Sequence, residues 1–83
     1  LGVYLSSSYR GGAYISGVVS DAAAEDAGLR RGDVIISLNG YEINDDDDLK
    51  AVLSRLTPGQ RVEVVYTRRG EERTTSVRLG RKR

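Results

Sequence analysis

Asn39-Gly40 stands between the β-branched, apolar run Asp33-Val34-Ile35-Ile36-Ser37-Leu38 and Tyr41-Glu42-Ile43. A two-residue Asn-Gly loop accepts positive φ at both positions, the turn geometry whose twist matches two antiparallel strands. A hairpin is therefore set near the middle of the chain, which argues against a βαβ array. Arg69-Gly70 marks a second break of this kind. Before it Val62, Val64 and Tyr66 alternate with Glu63 and Val65, and after it Thr75, Val77 and Leu79 alternate again. The period of two predicts a closing hairpin.

Upstream, Leu1 to Leu5 and Ala13-Tyr14-Ile15-Ser16-Gly17-Val18-Val19 read as two further strands, joined through Ser6-Ser7-Ser8 and an exposed loop at Tyr9-Arg10-Gly11-Gly12. Ala22 to Ala27 predicts a short helix of about two turns, with Ser20 or Asp21 as N-cap and Gly28 in a left-handed C-terminal position. A second helix starts from Asn44 or the first aspartates of Asp45-Asp46-Asp47-Asp48. Its core face carries Leu49, Leu53 and Leu56 at i, i+4 and i+7, and Pro58-Gly59 stops it. The expected class is α+β: a small curled antiparallel sheet or partial barrel of five to six strands with two helices. Residues 1–80 form one domain in this reading, and 81–83 a basic flexible tail.

At 83 residues a folded chain hides roughly 60–65% of its unfolded surface, enough for one modest core and no second lobe. The sequence has no Cys and no His, which removes disulfides, thiolate nucleophiles, zinc ribbons and the commonest general base. A Ser–Lys arrangement would fall to Lys50, beside acids, or Lys82, in the tail, neither placed for desolvation. No phosphate-binding glycine motif occurs, and no cofactor is expected. No apolar run approaches the ~18–20 residues of a membrane span, and the first residues lack the features of a signal peptide, so a soluble segment is expected.

Charge is uneven although the net value is only +1. Arg61, Arg68, Arg69, Arg73, Arg78, Arg81, Lys82 and Arg83 face only Glu63, Glu71 and Glu72 in the last third of the chain. Only Tyr66 lies among these bases, so they lack the aromatic interleaving of a nucleic-acid surface, and none is expected as a partner. The four aspartates do not show the alternating spacing of a calcium loop. On a starting helix they point about 100° apart, so they read as acids facing the positive end of the helix, and no metal site is expected.

Ala24, Ala27, Gly28, Leu29, Gly32, Asp33, Ile35, Asn39 and Gly40 match the pattern A-x-x-A-G-L-x-x-G-D-x-I-x-x-x-N-G. With Leu1-Gly2-Val3 at the start and the last hairpin around Arg69-Gly70, nearly the whole chain resembles a PDZ domain of the circularly permuted bacterial type. That type is familiar from HtrA-like serine proteases, site-2-type metalloproteases and C-terminal processing proteases. One departure is Ala23, where Pro often stands.

The resemblance implies that a peptide adds as an antiparallel strand between an edge strand and the longer helix. The N–H groups around Leu1, Gly2 and Val3 would cradle its terminal carboxylate, and Val3-Tyr4-Leu5 would pair with it. Leu1, Val3 and Leu5 share one face and would line the pocket for an apolar last residue. On the helix, Leu49 and Leu53 are assigned to the core, leaving Asp48, Val52, Arg55 and Leu56 toward the peptide. Many animal PDZ domains begin this helix with His; aspartates stand here, so no preference for Ser or Thr in the peptide carries over. The expected function is non-catalytic recognition of C-terminal or extended unfolded segments, as the regulatory domain of an HtrA-like protease. Its partners would be those segments and the protease domain of a longer chain, in the cell envelope by family analogy. The alternatives are a scaffold domain that sets oligomeric state, or the PDZ domain of a site-2-type or C-terminal processing protease.

Overall fold

The computed structural model describes residues 3–6, 11–18, 23–57 and 59–79. Its strands are β1 (Val3–Leu5), β2 (Ala13–Val18), β3 (Val34–Leu38), β4 (Tyr41–Glu42), β5 (Arg61–Arg68) and β6 (Glu71–Arg78), and its helices α1 (Ala23–Asp26) and α2 (Asp46–Leu53). The strands form one antiparallel sheet in the order β1-β2-β3-β5-β6, with β4 branching from β3. The path is open, with β1 and β6 at its two ends. The tail at 81–83, the boundary at residue 80 and the helix caps Ser20 and Asp21 lie outside the described residues.

Both expected hairpins form. Asn39 and Gly40 take φ 53° and 83°, Arg69 and Gly70 φ 55° and 80°, and the pairs Leu38↔Tyr41 and Arg68↔Glu71 close directly on the turns. Alternation along β5 sends Val62, Val64 and Tyr66 inward, where they meet Ile15, Ile35, Leu38, Ile43, Leu49, Val77 and Leu79 in one apolar core. Between Ile35 and Ser37 the β3–β5 register shifts. The extra residue brings Ile35 and Leu38, three apart in sequence, to the same core-facing side, while Val34 is buried on the opposite face.

Among the described residues the first helix covers only Ala23–Asp26, and its expected start at Ala22 lies outside them. It is followed by Gly28 at φ 86°, and the carbonyls just past its end are satisfied from the sheet: Thr75 Oγ1 donates to the Ala27 carbonyl at 3.1 Å and Arg68 Nη2 to that of Gly28 at 2.8 Å. Two local expectations change. Gly12, expected in an exposed loop, is buried at φ 145° against Val34 and Ile35, so closely that a Cβ there would collide with Val34 and come within 2.8 Å of the Ile35 carbonyl oxygen. On α2 the buried line is Asp46, Leu49 and Val52, whereas Leu53 is only half-buried. The helix ends at Leu53, and Leu56 follows in a tighter turn where its N–H reaches the Leu53 carbonyl at 3.1 Å. The i+7 position is therefore off the helix.

Among the described residues, Asp33 is the one buried carboxylate that ties separate elements together. It is 1% exposed and is held by the fork of Arg68, Nε to Oδ1 at 2.9 Å and Nη2 to Oδ2 at 2.8 Å, and by the Arg30 N–H at 2.9 Å. This hydrogen bonding raises the Arg68 guanidinium above its ordinary pKa, against an opposing desolvation, so the guanidinium stays charged across the alkaline range. The guanidinium also lies 5.4 Å from the centroid of the Tyr66 ring. The Gly32-Asp33 pair of the sequence pattern thus joins the start of β3 to the end of β5.

Candidate functional site

A strand at the end of a sheet exposes a row of backbone donors and acceptors on one side. β1 is such a strand: Val3 pairs with Val18, Tyr4 with Gly17 and Leu5 with Ile15, with a register shift between Tyr4 and Leu5. Among the described residues its other side has no strand partner. Alternation puts Val3 and Leu5 half-buried against the core, while Tyr4 turns to the opposite face and is 63% exposed. There the Tyr4 ring covers Gly17, leaving only 3.1 Å for a Cβ.

The N-terminus of α2 is tied to the segment that leads into β2, the strand paired with β1. Asp45 caps α2, its carboxylate accepting the Asp48 N–H at 2.9 Å, and the Asp48 carboxylate accepts the Asn44 N–H at 2.9 Å. The Asn44 carbonyl in turn accepts the N–H groups of Gly11 and Gly12, at 3.0 and 2.9 Å. This chain of bonds ties the start of α2 to the residues that enter β2, which α2 packs against. Asp45, Asp46 and Asp47 bring carboxylate oxygens within 4.8 Å of one another, closer than divergence on a helix allows. The reason is that Asp45, at φ −160°, is extended and folds back over the first turn. Asp45 is occupied as the cap, and Asp46, buried, faces Lys50 at 3.8 Å.

The residues singled out from sequence are only partly brought together. Val3, Leu5 and Leu56 are all half-buried at the margin of one core. Leu1 and Gly2 lie outside the described residues. Tyr4 is on the other face of its strand, Arg55 is exposed, and the Asp48 carboxylate is engaged in capping. Val52, assigned to the peptide side, is 9% exposed and part of the core. Leu53, assigned to the core, joins Leu56 at the margin, as does Val18 opposite Val3. On α2, therefore, Val52 is more deeply buried than Leu53, and leucine spacing alone carries no signal for that.

Residues 1–79 match the pattern of the PDZ domain. A DegP-like probable periplasmic serine endoprotease of Hahella chejuensis is 39% identical over 69 residues, 83% of this chain and 15% of that protein. The Do-like HtrA serine protease of Bacillus subtilis is 40% identical over 72 residues, 86% of this chain and 16% of that one. The chain thus spans about a sixth of the length of these relatives. Among solved structures, an HtrA-type protease, AlgW with decapeptide, superposes with TM-score 0.80 at 29% identity, covering 87% of this chain and 22% of that one. An aminopeptidase N family protein of Idiomarina loihiensis superposes with TM-score 0.85 at 29% identity, over 95% of this chain and 13% of that one. The match over nearly every residue, the open six-stranded sheet and the relatives it resembles agree: the chain belongs to the PDZ domain family, in the form found in DegP- and HtrA-like serine proteases.

Proposed function

We propose that this domain recognises the C-terminal or extended unfolded segments of other polypeptides, as the non-catalytic regulatory part of an HtrA-like serine protease. The observation that carries this reading is the side of β1 that has no strand partner among the described residues, with half-buried Val3 and Leu5 on β1 and Leu53 and Leu56 at the margin of the same core. A peptide added as a seventh, antiparallel strand gains main-chain hydrogen bonds along β1 and sends alternate side chains toward these four residues. The terminal carboxylate is received by the N–H groups around Leu1, Gly2 and Val3, and an apolar last side chain is preferred. An HtrA-type protease of similar fold has been solved with a decapeptide, which agrees with a peptide-binding role. With neither His nor Cys in the chain, proteolysis belongs to another part of the longer protein.

The test is a titration of the isotope-labelled domain, followed by NMR, with two peptides identical except that one ends in a free carboxylate and the other in an amide. Shifts at residues 3–5 and 53–56 with the free acid alone are expected. Equal shifts with both would refute terminus recognition, and none with either would refute the edge as the binding site. Gly2→Val should abolish the free-acid response while leaving the rest of the spectrum in place.

A further inference from the structure

We propose that the cleft between the 30–33 turn and the β5–β6 turn is a docking site for an acidic polypeptide segment, separate from the edge at β1. The cleft has a volume of about 730 Å³, and its charged lining comprises five arginines, Arg30, Arg31, Arg68, Arg69 and Arg73, against Asp33 and Glu71. Both carboxylates are already engaged, Asp33 by Arg68 at 2.8 Å and Glu71 by Arg73 at 3.0 Å. Arg30, Arg31 and Arg69 are exposed, and no ion pair among the described residues includes them. Three guanidinium groups therefore face one concavity in a chain whose net charge is only +1. They come from distant parts of the sequence and meet because Val34 pairs with Thr67.

The lining selects the class of occupant. Pockets for small organic ligands are mostly apolar, whereas this one is ionic, and it offers no exposed apolar side chain to enter a bilayer. Single-stranded nucleic acid needs aromatic faces, but the nearby Tyr66 is buried beneath Arg68. Guanidinium forks pair with carboxylates through two parallel hydrogen bonds. Gly32 and Gly70, with open space where a Cβ would stand, leave room for an extended backbone to approach. β1 and the β5–β6 turn belong to opposite ends of the strand order, so the cleft and the edge can be occupied together.

The probe is an octaglutamate peptide, acetylated and amidated so that it presents no terminal carboxylate, titrated into the labelled 83-residue chain at low and high salt. Expected are shifts at residues 30–32 and 68–73, with affinity falling roughly tenfold or more between about 0.05 and 0.3 M salt. The double variant Arg31→Gln/Arg69→Asn should bind at least about fivefold more weakly with an unchanged fold, since both side chains are exposed and Asn tolerates the φ of 55° at position 69. Absence of shifts at low salt, undiminished binding by the variant, or shifts at 3–5 and 53–56 instead would overturn the proposal. Tighter binding of oligothymidylate or of phosphatidylglycerol vesicles than of octaglutamate would also overturn it. Failure of the peptide-edge reading is seen separately, because that test uses a different probe and different residues.

Discussion

Replacing Arg68 by Ala removes the only cation that faces the buried Asp33 carboxylate among the described residues. Of the three hydrogen bonds donated to Asp33, two are lost and only the Arg30 N–H at 2.9 Å remains. Breaking a buried pair by deleting one partner costs about 3–5 kcal/mol. The Arg68 side chain is 22% exposed, so water reaches the vacated space and the lower end, about 3 kcal/mol, applies. The expected fall in Tm is roughly 12–24 °C for a domain of this size. Chemical denaturation of the four members of a cycle, wild type, Arg68→Ala, Asp33→Asn and the double variant, separates the pair from its surroundings. A loss below about 1 kcal/mol for Arg68→Ala, the range of surface pairs, would refute the view that this contact joins β3 to β5.

Gly12→Ala should cost about 2–3 kcal/mol in urea unfolding, because the added Cβ meets both the Val34 side chain and the Ile35 backbone at a φ of 145°. Asp45→Ala deletes the cap of α2 and should lower stability by about 1 kcal/mol, with Asp45→Asn nearly neutral, as read by thermal melts. Val52→Glu forces a charge into the core and should unfold the domain, whereas Leu56→Glu should fold and lose roughly tenfold or more in affinity for an apolar free-acid peptide. A folded Val52→Glu domain with selectively lost binding would restore Val52 to the peptide side of α2.

The hairpins and the inward face of β5 were legible because their causes are local. Positive φ at Asn39-Gly40 and Arg69-Gly70 is a property of two residues, and the alternation of Val62, Val64 and Tyr66 needs only the pleat of one strand. The aspartate run was legible as a cap for the same reason, since Asp45 bonds within its own turn. The buried side of α2 was not. Leu49, Leu53 and Leu56 form a regular apolar series, but the helix ends at Leu53, packs against β2 and buries Asp46, Leu49 and Val52. Likewise Gly12 looked like loop and is buried, because the residue it must approach, Ile35, is far away in sequence.

The sequence by itself determined the antiparallel class, the two turns, the apolar faces of the strands and the family likeness, all of which follow from chain stiffness, side-chain periodicity and short-range hydrogen bonding. Only the tertiary structure decided that Asp33 and Arg68 form one buried pair, that Val52 is buried on α2 while Leu53 stays at the margin of the core, and that arginines from two turns share one cleft. Those features depend on how elements far apart in sequence are set against one another. That arrangement is governed by the β2–β3 and β3–β5 registers and by the docking of α2, which no local stretch of residues encodes.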